Sequence, residues 1–199
     1  MRVIRRKSMS GKSEFTVFVY NGFKKDVEPL TLEGREIVRG ILFAAAEKAG
    51  IEILAWCITP VSYRIIIKTT QGFASRKTEQ RRPLVSFQKR FQQRVSSWVK
   101  YTTGREHGIW RDRYKLSQLH STPETIVAVV SVDAFPMIVG LVDEPEDYFF
   151  TSYYHACLGD KNARKGILQL VGTPSASWPV AKRRYRKMLL EVTQDCSKS

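Results

Sequence analysis

The fold of this chain is decided by the stretch ILAWCITPVSYRIIIKT, residues 53–69. It contains most of two runs that are rich in apolar and β-branched side chains, at 51–57 and 61–69. Pro60 lies between the two runs, where it suits a connection better than the interior of a strand. The pattern therefore predicts a β-hairpin.

The segments on either side of this hairpin follow a regular order. The run EFTVFVY ends at an Asn-Gly turn signal, which indicates a strand, and apolar residues three and four apart indicate helices. The predicted elements are strands at 14–20, 51–57, 61–69 and 112–120, and helices at 31–49, 83–104, 122–131 and 180–192. This order, βαββαβ followed by helix, predicts an α+β, ferredoxin-like antiparallel sheet with helices on one face, plus C-terminal helices.

The length of 199 residues allows one sizeable core and is short for two domains. We expect a basic N-terminal arm at 1–13, one ferredoxin-like domain at 14–158 and a basic helical extension at 159–199. The polar segment 71–83 is expected to form a loop.

The charge balance is unusual, with 33 Lys and Arg against 19 acids, a net charge of +14 and a pI near 9.9. It favours a polyanionic partner, of which nucleic acid is the commonest and an anionic membrane surface the second. Residues 75–115 hold twelve of the cations and only three acids, interleaved with four Trp and Tyr residues. This window suits phosphate neutralisation combined with base stacking.

The three cysteines are far apart and lack the CxxC spacing of a zinc site, which suggests a reducing compartment. The basic N-terminus is followed by no long apolar run that would indicate a secretory signal. The most apolar stretch, 124–142, is interrupted by Ser131, Asp133 and Pro136 and would span a bilayer poorly. We expect a soluble cytoplasmic protein with no membrane partner.

Four segments between Ile53 and Gly172 together resemble the REP-associated tyrosine transposases, a family within the HUH group of single-strand DNA transposases. The segments, in chain order, are ILAWCITPVSYRIIIKT, FQKRFQQRVSSWVKYTTGREHGIWRDRYKL, FPMIVGLVDEPEDY and SYYHACLGDKNARKGILQLVG. The resemblance implies a ferredoxin-like fold, in agreement with the periodicity. It also implies a site in which two histidines on one strand hold a divalent ion and a helix tyrosine attacks the scissile phosphate.

The sequence departs from this family at all three catalytic positions. Ser62 and Arg64 stand where the family has its two histidines, and Ser131 stands where the tyrosine is expected. An arginine has no lone pair for a metal ion, and serine is a poor ligand. The guanidinium of Arg64 could instead bind a phosphate directly, although it could equally reach solvent or pair with a carboxylate.

We therefore expect a transposase-like protein that binds single-stranded or hairpin DNA and does not cut it, with no metal and no cofactor. The predicted DNA-binding residues are Arg64, Arg81, Arg82, Lys89, Arg90, Arg94, Trp110, Arg111, Arg113 and Lys115. The sequence leaves open whether the protein works alone, as a homodimer or as a subunit of a larger nucleoprotein assembly.

Two alternatives remain at this point. One is an active transposase or nuclease with a rebuilt site, in which His120 or acidic residues hold a metal ion and another tyrosine attacks. The other is an RNA-binding module, because ferredoxin-like folds with exposed aromatic residues also bind RNA. The absence of an aromatic-rich RNP signature on a strand weighs against the second alternative.

Overall fold

The structure is a computed structural model that describes residues 15–69, 82–171 and 177–196. The predicted arm at 1–13 and nearly all of the predicted loop at 71–83 lie outside these residues. The elements are β1 (Phe15–Gly22), α1 (Leu32–Ala49), β2 (Glu52–Ile58), β3 (Ser62–Thr69), α2 (Arg82–Thr103), β4 (Lys115–Leu119), α3 (Thr122–Ile138), a 3-10 turn (Pro145–Asp147), α4 (Ser152–Leu158), α5 (Lys161–Leu170) and α6 (Trp178–Cys196).

The four strands form one sheet in the order β2-β3-β1-β4, and every neighbouring pair is antiparallel. This is the arrangement that the βαββαβ order predicts, so the ferredoxin-like fold class is confirmed. The predicted hairpin is β2 and β3, joined by a tight turn in which the backbone N–H of Thr59 donates to the carbonyl of Ser62 at 2.8 Å.

One face of the sheet is covered by α1 and α2. Tyr63 on β3 lies on this face, where its hydroxyl is hydrogen-bonded to Gln88 and Gln92 of α2 at 3.2 and 3.0 Å. Its ring packs edge-on against Phe91, with the centroids 4.9 Å apart. Because side chains alternate along a strand, every second residue of β3 from Tyr63 points towards these helices.

The opposite face carries Arg64 and is only partly covered. Helix α3 packs against β2 and β3 and places Phe135 directly over Arg64. On the half of the face formed by β1 and β4, Lys115 and Ser117 are exposed, and Tyr20 is half-buried. This open half of the sheet, next to α3, is where the candidate site lies.

Helix α3 is longer than the sequence predicts. The pattern places its end at Ser131, whereas the helix continues through Pro136 to Ile138. Proline removes one backbone hydrogen bond, and this cost is met here by burial of Val132, Ala134 and Met137 on the last turns. Strand β4 is shorter than the predicted 112–120, beginning only at Lys115.

The C-terminal helices pack onto the same core as the sheet. Tyr185 and Leu189 of α6 and Ile167 of α5 are buried in the cluster that includes the sheet residues. The division at residue 159 between domain and extension stays a prediction. Within the described ranges, no helix has both the length and the apolarity to cross a membrane.

Candidate nucleic-acid interface

Arg64 is the centre of the candidate site. Its guanidinium carbon lies 3.6 Å from the ring centroid of Phe135 on α3 and 5.5 Å from that of Tyr20 on β1. No hydrogen bond or ion pair joins its guanidinium to any residue in the described parts of the chain, and its Nε is buried without an acceptor. The aromatic rings thus hold the charge in place and leave its N–H donors available for a ligand.

Burial lowers the pKa of the Arg64 guanidinium below its ordinary value. Arginine remains protonated in proteins even so. Burial of a cation without an acceptor costs desolvation free energy, and a bound anion would offset this cost. Arg64 therefore has the geometry and the electrostatics of an anion-binding residue.

A cavity of about 270 Å³ opens beside Arg64 at one end of the sheet. Its lining includes three further cations from the segment that leads into β4, which are Arg111, Arg113 and Lys115. Asp112 is the one carboxylate that lines it. Lys115 is also 5.7 Å from the ring centroid of Tyr20. Four positive charges against one negative charge make this cavity suitable for a phosphate group.

The hydroxyl of Ser62 is engaged in the hairpin turn. Its Oγ lies 2.7 Å from the Oγ1 of Thr59, and the two residues also pair through the backbone. Ser62 thus stabilises the turn that precedes Arg64.

Ser131, at the expected tyrosine position, lies on α3 one helical turn before Phe135. Its hydroxyl donates to the carbonyl of Val127 at 2.8 Å. A serine hydroxyl bonded back to its own helix is a common arrangement and leaves no activated nucleophile. Among the described residues, no Glu, Asp or His is hydrogen-bonded to this hydroxyl.

The side chains at this site do not fit the divalent ion that the resembled family uses. Arg64 offers only donors, and the Ser62 oxygen is already paired with Thr59. No group of three or more His, Cys, Asp or Glu that could hold a metal ion occurs in ranges 15–69, 82–171 and 177–196. His120 lines a different cavity, at the far end of the sheet, together with Thr16 and Lys68.

The remaining predicted DNA-binding residues lie apart from the cavity. Lys89 and Arg94 are exposed on α2, and Arg90 is half-buried there, on the opposite side of the sheet from Arg64. The indole N–H of Trp110 donates to Ser96 at 2.9 Å, and its ring packs between Phe23 and Tyr63. Arg81 and the side chain of Arg82 lie outside the described residues.

Two residues of the candidate site were not predicted from the sequence. Phe18 and Tyr20 on β1 lie on the same face as Arg64, with ring centroids 5.2 Å apart and planes 23° from parallel. Their neighbours Val17 and Val19 are fully buried on the other face. The alternation of aromatic residues with valine in EFTVFVY was the available signal, because it gives each face of the strand a different composition.

Proteins of known structure that are similar to this chain include two transposases. The REP-associated tyrosine transposase bound to a REP hairpin aligns with 80% of this chain and 87% of its own, at a TM-score of 0.56 and 18% identity. A candidate transposase from Deinococcus radiodurans R1 aligns with 60% of this chain and 90% of its own, at a TM-score of 0.43 and 14% identity. No family model and no curated protein matches the chain. The first likeness establishes a transposase-like fold, as the sequence resemblance predicted.

Proposed function

We propose that this protein binds single-stranded or hairpin DNA through the cavity around Arg64 and does not cleave it. The observation that carries the proposal is the guanidinium of Arg64, which lies against the rings of Phe135 and Tyr20, has no acceptor among the described residues and lines a cavity with three more cations. Carboxylate and phosphate are the anions whose geometry fits such a planar, charged donor, and phosphate is the one that nucleic acid supplies. The structural neighbour is a tyrosine transposase bound to a REP hairpin, and this likeness supports DNA as the source of that phosphate.

The absence of cleavage rests on the chemistry of the side chains. Strand transfer by a tyrosine enzyme needs a phenolic nucleophile and a group that polarises the phosphate. At the corresponding positions Ser131 is bonded to its own helix, and Arg64 can stabilise charge but cannot hold a metal. In this proposal the protein recognises DNA with a transposase-like fold and lacks the reactive groups of a transposase. Its cytoplasmic location stays a prediction from the sequence, and its assembly state stays open.

The first experiment incubates the purified protein with labelled single-stranded and hairpin DNA in the presence of Mg²⁺ or Mn²⁺. We expect a shifted band on a native gel and neither a cut nor a covalent adduct on a denaturing gel. A metal-dependent adduct would show that a rebuilt site is active, with Tyr20 in the cavity as the first tyrosine to replace. An RNA strand of the same sequence, used as competitor, tests the alternative of an RNA-binding module. The observation that favours this alternative is the stacked pair of Phe18 and Tyr20 on the partly open face of the sheet.

A second experiment asks which of the two groups of predicted cations binds DNA. A triple variant with Arg111→Gln, Arg113→Gln and Lys115→Gln removes three charges from the cavity. We expect weaker binding and a shallower dependence of the affinity on salt, by about 0.7 in the logarithmic slope for each lost phosphate contact. Affinity is measured by fluorescence anisotropy over a range of salt concentrations.

The matched control is Lys89→Gln, Arg90→Gln and Arg94→Gln on α2, which removes the same charge from the opposite side of the sheet. We expect its affinity to stay close to that of the wild type. If the α2 variant loses more affinity than the cavity variant, the interface lies on α2 and the proposed site is wrong.

A further inference from the structure

A row of flat groups runs across the open face of the sheet. It begins with Phe18, continues with Tyr20 at 5.2 Å, passes to the guanidinium of Arg64 at 5.5 Å and ends with Phe135 at 3.6 Å. Tyr20 and Arg64, the inner members of the row, thus each have two flat neighbours. Lys115 adds a second cation beside Tyr20.

Phe18 is the end of this row on β1. Within the described residues its one aromatic neighbour is Tyr20. The residue opposite Phe18 on β4 is Ser117, which is small and exposed. Phe18 itself is half-buried and packs against the edge of the core. The row therefore ends at an aromatic side chain that is partly open to solvent, with space beside it on β4.

The positive charge near this aromatic end indicates which kind of ligand would fit there. Arg64 and Lys115 both lie within 6 Å of the next ring in the row, that of Tyr20. A ligand that places a flat ring on Phe18 and a negative group beside Tyr20 would use both features. A nucleotide carries such a ring and such a charge, and stacking of bases on aromatic side chains tolerates any sequence.

We infer that an unpaired DNA base stacks on Phe18 while a neighbouring backbone phosphate binds to Arg64 and Lys115. The base must be unpaired, because the faces of a base inside a duplex are already covered by its neighbours. This inference rests on the proposed function and adds that the open half of the sheet reads the single-stranded part of the ligand.

The test is a double-mutant cycle that combines a change in the protein with a change in the DNA. The probe is a DNA hairpin with a short single-stranded tail, at the 5′ or the 3′ end in separate probes, in which each tail base in turn is replaced by an abasic site. For the wild type we expect one position where removal of the base weakens binding about tenfold. In Phe18→Leu the same abasic site should have no effect, because the base has already lost its partner.

The controls separate stacking from folding. Phe15→Leu changes an aromatic residue of the same strand on the opposite face of the sheet and should keep the sensitivity of the wild type. Phe18→Trp keeps a flat ring and should restore the sensitivity that Phe18→Leu loses. If the wild type binds the tailed hairpin but no abasic position depends on Phe18, the stacking inference is wrong and the proposed function stands. If the wild type binds no probe, the proposed function itself fails.

Discussion

Replacement of Arg64 by Gln is expected to weaken DNA binding by about 10- to 100-fold. The physical reason is that a hydrogen bond to a charged group contributes about 1.5–3 kcal/mol, and no acceptor among the described residues competes with the phosphate for Arg64. Glutamine keeps a polar side chain at the position but carries no charge and no bidentate fork. The affinity for a labelled single strand or hairpin is measured by anisotropy at one fixed salt concentration.

Two further variants make this prediction specific to the site. Arg64→Lys keeps the charge but loses the planar group that lies on Phe135, so we expect it to recover only part of the affinity. Lys48→Gln removes one charge from the exposed end of α1, on the covered side of the sheet, and should change the affinity by less than about twofold. If the Gln variants at 64 and 48 bind DNA equally well, the protein attracts DNA through its net charge and Arg64 has no special role.

The fold was predictable because its signals are local. The hairpin, the turn at Pro60 and the apolar spacing along α1 and α2 each depend on neighbouring residues, and together they allow few topologies. The end of α3 was predicted wrongly at Ser131, because the burial that carries the helix past Pro136 comes from distant parts of the chain.

The site was predictable only in part, because some of its features depend on contacts between distant parts of the chain. Arg64 was singled out because its position could be counted along one strand. The concentration of cations in 75–115 suggested a single basic surface, yet Arg94 and Lys115 lie on opposite sides of the sheet. Periodicity shows that a strand has two faces but does not show which face a later helix will cover. For this reason the exposure of Phe18 and Tyr20 could not be read from the sequence.

Asp133 is the buried charge on which the placement of α3 depends. Its Oδ1 accepts hydrogen bonds from the Ser152 hydroxyl at 2.6 Å and the Tyr153 backbone N–H at 3.1 Å, and its Oδ2 accepts one from the Tyr185 hydroxyl at 2.8 Å. One carboxylate thus joins α3 to α4 and to α6. Its partners are 19 to 52 residues away along the chain, so no sequence pattern indicated this role. Phe135 follows two residues later, and the position of α3 therefore also fixes the ring that holds Arg64.

Asp133→Ala should lower the free energy of unfolding by roughly 3 kcal/mol or more. It leaves three buried donors without an acceptor, and each unsatisfied group costs about 1–3 kcal/mol. Chemical denaturation followed by circular dichroism measures the loss. Asp133→Asn keeps the shape, and its oxygen can accept from Ser152 and Tyr153 while its NH2 donates to the Tyr185 hydroxyl oxygen, so it should fold well. A similar loss in both variants would mean that the negative charge itself, rather than the hydrogen bonds, is required.

The pH dependence of stability gives an independent test of the same carboxylate. Burial raises the pKa of Asp133 from 3.8 to about 6, in spite of the hydrogen bonds from Ser152 and Tyr185 that act in the opposite direction. Between about pH 4 and pH 6 the folded protein therefore binds more protons at this group than the unfolded chain does. Its contribution to stability is complete below pH 4 and is lost as the pH rises through 6, by at most about 3 kcal/mol. Wild type and Asp133→Asn should then be equally stable at pH 4, and Asp133→Asn more stable at pH 7. If the difference between the two unfolding free energies does not change with pH, Asp133 has the same pKa in both states, and the buried carboxylate is not the group that opposes the folded state at neutral pH.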